Sequence, residues 1–311
     1  RGTGIGFATR HIAKFGFGPQ SLPAKLTLAL GTGQVTPLEM ARGFAVFANG
    51  GALVTPYFIQ AVRDPAGKTL FEAEPARACA LCDFDAAGES AAAVAADLAA
   101  VPDDVPAAAS NVASSDVPDD TPVPAGQSPG DAAAATTAGG GARAPQAISP
   151  ANAFVMTDMM TDVVQRGTGQ RAASAHKRKD IAGKTGTTSD RRDTWFVGFN
   201  ADIAAAVWLG FDQERSLGEN EEGGRTALPM WIYFMQEALR DKPEHRQPEP
   251  PGVVRTWVSR ESGAPTRAGA PGALFEAFLE QYAPQPGMGG FSDDGVGAET
   301  LEPAATDESI F

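Results

Sequence analysis

The sequence predicts an α+β fold, an antiparallel sheet flanked by helices, and three observations lead there. Residues 36–48, 149–166 and 226–240 carry capping residues ahead of apolar runs, the grammar of helices. Residues 180–212, between the second and third of these, read as three strands separated by short turns, and strands so joined pair antiparallel. Helices before and after such strands cover the sheet as a layer.

Residues 1–73 read as the first globular part. In "VTPLEMARGFAVFANGG", Thr36 is the N-cap, Pro37 takes the first helical position and Glu39 completes a T-x-x-E capping box. The apolar face is expected through Leu38, Ala41, Ala45 and Ala48, flanked by Phe44 and Phe47, and Asn49-Gly50-Gly51 ends the helix. Residues 52–73 then predict two strands about the turn Asp64-Pro65-Ala66-Gly67.

Residues 74–147 shift to Ala, Pro, Asp, Ser and Gly. Such a composition buries too little apolar surface to offset chain entropy, so a disordered insertion is expected, with a transient helix over 86–100. Order resumes in 148–243. Ser149 caps, Pro150 starts the helix, and Val155, Met156, Met159, Met160, Val163 and Val164 form its expected apolar stripe before Gly167. "RAASAHKRKD" reads as a polar, basic connector, the strands follow, and "TALPMWIYFMQEALR" is an amphipathic helix. Residues 244–285 are expected to be a small extension with a hairpin in 252–266 and a short helix over 273–284, and 286–311 a disordered acidic tail.

The net charge of −13 is unevenly spread. Residues 83–147 hold ten acids against Arg143 alone, residues 286–311 hold six acids and no base, and the remainder is +2. The acidity therefore belongs to linker and tail, and nucleic acid is excluded as a partner. No run reaches the roughly 18 apolar residues of a membrane helix. The chain opens at Arg1 without a start methionine or an export signal, so it is expected to be part of a longer protein. Cys79 and Cys82 form a C-x-x-C, but His11, His176 and His245 are scattered and no βαβ setting surrounds the pair. It reads as a local disulfide or two idle thiols rather than a metal or redox site.

The chemistry concentrates in "DIAGKTGTTSDRRDTWFVGFN". Lys184 could grip a phosphate, face water or grip a carboxylate. A phosphate loop of the G-x-x-x-x-G-K-[ST] kind needs glycine where Arg178 stands, and a helix after the lysine where a strand follows. An edge-strand lysine facing solvent is the plain alternative. For a carboxylate, alternation would put Lys184, Gly186 and Thr188 on one side and Thr185 and Thr187 on the other. Gly186 then removes a side chain where a substrate backbone would lie.

"LALGTGQVTPLEMARGFAVFANGG", "GKTGTTSDRRDTWFVGFN" and "GGRTALPMWIYFM" together resemble the C-terminal part of the transpeptidase domain of class A, bifunctional penicillin-binding proteins of the 1A type. The resemblance covers residues 1–72 and 148–285. It implies a β-lactamase/transpeptidase-like fold, present here as a partial domain, and a serine enzyme that cross-links peptidoglycan through D-Ala-D-Ala stem peptides and is acylated by β-lactams. It implies no cofactor, a glycosyltransferase domain, and an anchor on the periplasmic face of the inner membrane. It assigns Lys184 to the substrate carboxylate and the S-x-N serine, and the hydroxyls of Thr185 and Thr187 to that carboxylate. The Thr187 backbone N–H becomes an oxyanion donor. Gly186 and Thr188 complete the substrate-binding stretch, and Thr188, Asp190, Arg192 and Asp193 brace the turn.

The pattern's other half is missing from the sequence. None of Asn49, Asn111, Asn152, Asn200 and Asn220 has serine two positions before it, so there is no S-x-N. The only S-x-x-K is Ser174 to Lys177, in the basic connector a few residues before the strand. The family's motif lies far upstream on a core helix, so Ser174 is read as a coincidence and Ser189 as a turn residue. The nucleophile is expected upstream of Arg1, and the chain alone is expected to be inactive. A serine β-lactamase-related hydrolase and a non-catalytic binding module remain as alternatives.

Overall fold

The structure is a computed structural model and describes residues 4–78 and 142–285. Its centre is a three-stranded antiparallel sheet in the order β3-β4-β5: Ala182–Thr187, Thr194–Phe199 and Ala204–Leu209. The β4–β5 turn is tied by Asn200, whose side-chain oxygen accepts from the N–H groups of Asp202 and Ile203. This Asx-type turn is the local reason the strands reverse.

Residues paired across antiparallel strands share a face. Phe196 and Gly198 lie on the face covered by α5 (Ala227–Ala238), where the Phe196 and Trp231 rings are 5.0 Å apart. A Cβ on Gly198 would come within 2.6 Å of Trp231, so glycine is what lets the indole seat. Phe199 and Ala182 lie on the other face, against α2 (Pro37–Ala48) and α3 (Pro150–Arg166), with Phe44 and Phe199 6.2 Å apart. The expected α+β fold, with a helix-flanked sheet, is what the structure shows.

The capping box of α2 forms as the sequence predicts, with Thr36 and Glu39 exchanging hydrogen bonds. Its buried side differs, for Gly43, Val46 and Ala48 are buried and Leu38 is exposed. In α3, Ser149 caps as expected, but Met156 and Met159 face solvent and the core takes Ala153, Met160 and Val164. Consecutive apolar pairs fit two helical faces equally, and packing against β3 selects one. The helix α1 (Ile5–Ala13) precedes α2, and Phe15 beyond it stacks within 5.2 Å of Phe47. The hairpin of β1 (Ala61–Arg63) and β2 (Thr69–Glu72) forms about the expected turn and is exposed throughout.

Three expectations are corrected. Residues 273–284 are not a helix: Ala273–Leu279 is strand β7, paired along its length with β6 (Val253–Ser259). Leu, Ala and Glu favour a helix locally, but cross-strand pairing such as Trp257 on Phe275, 4.9 Å apart, overrides that preference. The reversal expected in 252–266 is present as a short one, with Val258 bridged to Pro265 and the Thr266 N–H donating to Trp257 O at 2.8 Å, while the longer hairpin is β6 with β7. The basic connector is partly helical, α4 (Gln170–His176), and Arg178 is largely but not fully buried, in an ion pair. Both ends of the insertion are built into the fold, with Arg77 bridged to Arg143 and Ala144 buried. The rest of 74–147, the transient helix at 86–100, Cys79, Cys82 and the tail from 286 lie outside the described residues.

The start of β3 is fixed by Asp180, whose side chain is fully buried. Arg178 grips it with two hydrogen bonds of 2.9 and 2.7 Å, and Asn200 and the His245 N–H donate at 3.2 and 2.9 Å. Burial would raise this carboxyl's pKa, but the Arg178 pair and the two other donors outweigh it and hold it below the ordinary value of 3.8. The stabilisation is thus complete above about pH 4 and is lost as pH falls through the folded-state pKa. Asp180→Asn is expected to cost about 3–5 kcal/mol at pH 7 by leaving Arg178 without its counter-charge. Thermal unfolding followed from pH 7 to pH 3 should show that deficit shrinking below about pH 4. A deficit of constant size would contradict this account of Asp180.

Candidate functional site

Among the described residues β3 is an edge strand, with β4 on one side and no strand on the other. Thr188 donates its N–H to Asp193 O at 3.1 Å, toward the β4 side. Backbone groups alternate along a strand, so the N–H of Thr187 faces the free edge. Lys184 and Gly186 pair with Val197 and Trp195 and therefore share the α2 face; Thr185 and Thr187 share the α5 face with Phe196 and Thr194. The alternation predicted from the sequence holds through Thr187.

Lys184 is exposed and has no acidic partner among the described residues; its ammonium donates to Thr185 O at 2.9 Å. Residues 184–188 line a groove of about 860 Å³. Trp195, Trp208 and Phe211 also line it, as do Leu28, Leu30 and Gln34. A Cβ at Gly186 would lie 3.1 Å from the Trp195 Cβ, so the missing side chain leaves the Lys184 side of the strand low and open. The groove therefore offers the Lys184 ammonium on one face of the strand, the Thr185 and Thr187 hydroxyls on the other and outward backbone donors on the edge between them, a set that suits an extended ligand ending in a carboxylate.

Thr188 lines the same groove, but its hydroxyl serves the turn, accepting from the Asp193 N–H at 2.8 Å. The bracing expected of this turn has visible parts. Asp190 and Arg191 take left-handed φ values of 58° and 53°, Arg192 bridges Asp190 and Glu214, and the Asp193 carboxylate accepts the Trp208 indole N–H at 2.8 Å. Ser174 is on α4 and donates to Gln170 O, and neither it nor Ser189 lines the groove.

Two residues escaped the reading of the sequence. Thr168, between α3 and α4, has its hydroxyl 2.9 Å from that of Thr185. Gly223, before α5, donates its N–H to the Thr187 hydroxyl at 3.1 Å. Glycines in "RGTG" and "GGRT" were the available signal, since close backbone approach needs them. A second cavity, of about 380 Å³, lies between the end of α2, α3 and residues 245–251 and shares no residue with the groove. Among the described residues no group of His, Cys, Asp and Glu could hold a metal ion, and no helix is long and apolar enough to cross a membrane.

Comparison with known proteins identifies the family of the domain. The family model of the penicillin binding protein transpeptidase domain matches residues 6–82 and 141–224, more than half of the chain and all of β3. Penicillin-binding protein 1A of Pseudomonas aeruginosa is 42% identical over 91% of the chain and 32% of its own length. Penicillin-binding protein 1A of Neisseria gonorrhoeae is 33% identical over 98% of the chain and 30% of its own length. The crystal structure of penicillin-binding protein 1A from Haemophilus influenzae superposes with a TM-score of 0.69 at 31% identity, covering 91% of this chain and 38% of that one. The chain thus spans about a third of the length of these curated relatives.

Proposed function

Because this chain belongs to the penicillin-binding protein transpeptidase family, we propose that it carries the substrate-gripping strand of a peptidoglycan D,D-transpeptidase. Lys184 is the observation that carries this reading. An exposed ammonium without an acidic partner among the described residues, on the edge strand β3 and in an open groove, suits an incoming carboxylate. An amine held by an internal acid would have excluded it.

In this reading the nucleophilic serine, its lysine partner and the S-x-N loop come from polypeptide outside residues 1–311. So do a glycosyltransferase domain and an inner-membrane anchor that would hold the site on the periplasmic side. The D-Ala-D-Ala end of a stem peptide lies along β3. Lys184 supplies positive charge to its carboxylate and to the S-x-N serine, and Thr185 and Thr187 donate their hydroxyl protons to the same carboxylate. The serine oxygen adds to the penultimate carbonyl carbon, and the Thr187 N–H donates to the oxyanion that forms. Loss of one such donor costs about 3–4 kcal/mol in comparable sites. Collapse breaks the peptide bond as the serine's proton, taken up by its lysine partner, passes to the departing amine; D-Ala leaves, and the ester passes to an amine of a second stem peptide or to water. β-Lactams present the same carboxylate and a strained amide, and act as inhibitors.

Fluorescent penicillin tests this. The full-length protein is expected to take one covalent label on a serine outside residues 1–311, and residues 1–311 alone are expected to take none. Rapid hydrolytic turnover without a lasting label would favour the β-lactamase-related reading, and absence of any reaction in the full-length protein a non-catalytic binding module.

A further inference from the structure

We propose that Thr168 is a positioning residue for the substrate carboxylate, a step that rests on the transpeptidase reading above. A hydroxyl has one proton and two acceptor lone pairs. A carboxylate only accepts, so a threonine that binds it must spend its single proton there. Thr187 is in that condition, because its oxygen accepts from the Gly223 N–H at 3.1 Å and a backbone N–H can only donate. Its proton is left for a ligand.

Thr185 reaches the same condition when Thr168 donates to it across their 2.9 Å contact. Both threonine oxygens then accept from the α5 side of the strand, and both protons serve the carboxylate. A hydroxyl that accepts a hydrogen bond is polarised and donates more strongly. Thr168 is held for this role by its turn. The N–H groups of Gly167 and Gly169 both bond to Val163 O, at 3.1 and 3.0 Å. The loop before α5 lies against its backbone, since a Cβ on Gly224 would come 3.1 Å from Thr168 O.

The test compares acylation of the full-length protein by benzylpenicillin and by its methyl ester, which lacks the charged carboxylate. The unmodified protein is expected to prefer the acid. Thr168→Val should shrink that preference by about three- to tenfold, the range of one hydrogen bond. Thr168→Ser should retain it, and Thr168→Val should add nothing in a Thr185→Val background. A purely structural role for Thr168 would slow both probes alike and leave the ratio unchanged, and that result would overturn the proposal. So would an equal loss of preference in the Thr185→Val background. Should Thr168→Val fail to fold, Thr168→Ala is read in the same way. If the unmodified protein is acylated by neither probe, the transpeptidase reading falls, and this proposal with it.

Discussion

Replacing Lys184 with alanine in the full-length protein is expected to slow acylation by benzylpenicillin about 10- to 150-fold. That is the effect of losing one charge-assisted hydrogen bond of about 1.5–3 kcal/mol. Little structural cost should accompany it. The Lys184 side chain is exposed, and its sole hydrogen bond among the described residues runs to the Thr185 carbonyl beside it. The melting temperature should therefore stay near that of the unmodified protein while the acylation rate falls. Lys184→Arg keeps the charge but changes its shape, and is expected to fall between the two. Unchanged acylation in Lys184→Ala would remove the lysine from the site.

A second large effect is expected from a residue that offers no chemistry of its own. A methyl group on Gly223 would lie 2.4 Å from Trp195 O and 2.6 Å from Gly186 O. Both are backbone atoms of the β3–β4 pair and cannot swing aside. Gly223→Ala must therefore push its loop off the sheet, break the N–H contact to the Thr187 hydroxyl, or displace the strand edge. A shift of about 1 Å near reacting groups can cost about 100-fold in rate. Overpacking of this kind also costs about 1–3 kcal/mol of stability. Acylation kinetics and thermal unfolding of Gly223→Ala should register both losses. A variant with the unmodified acylation rate would mean that the loop before α5 does not support the strand.

How much of this was legible in the sequence depends on how local each cause is. The capping box at Thr36 and Glu39 could be read because its partners are three residues apart. The three strands could be read from their turns, and the face of Lys184 from alternation alone. Strand β7 could not, because Leu274 to Leu279 fits a helix until β6, earlier in the chain, supplies a paired edge. Met156 and Met159 were assigned to the core on spacing that two helical faces satisfy equally. The supports of the site were the least visible. Thr168 and Gly223 meet Thr185 and Thr187 across 17 and 36 residues of sequence, and only glycines permissive of close approach marked the places. Asp180 likewise looked like part of a solvated basic connector, yet its side chain is fully buried and joins β3, the β4–β5 turn and the segment leading to β6.

The most direct measurement is a crystal structure of the full-length protein acylated by benzylpenicillin. The expected result is a penicillin carboxylate within hydrogen-bonding distance of Lys184 Nζ and of the Thr185 and Thr187 hydroxyls, with the former lactam oxygen on the Thr187 N–H. A carboxylate bound elsewhere, with the Lys184 ammonium left in solvent, would contradict the role given to this strand.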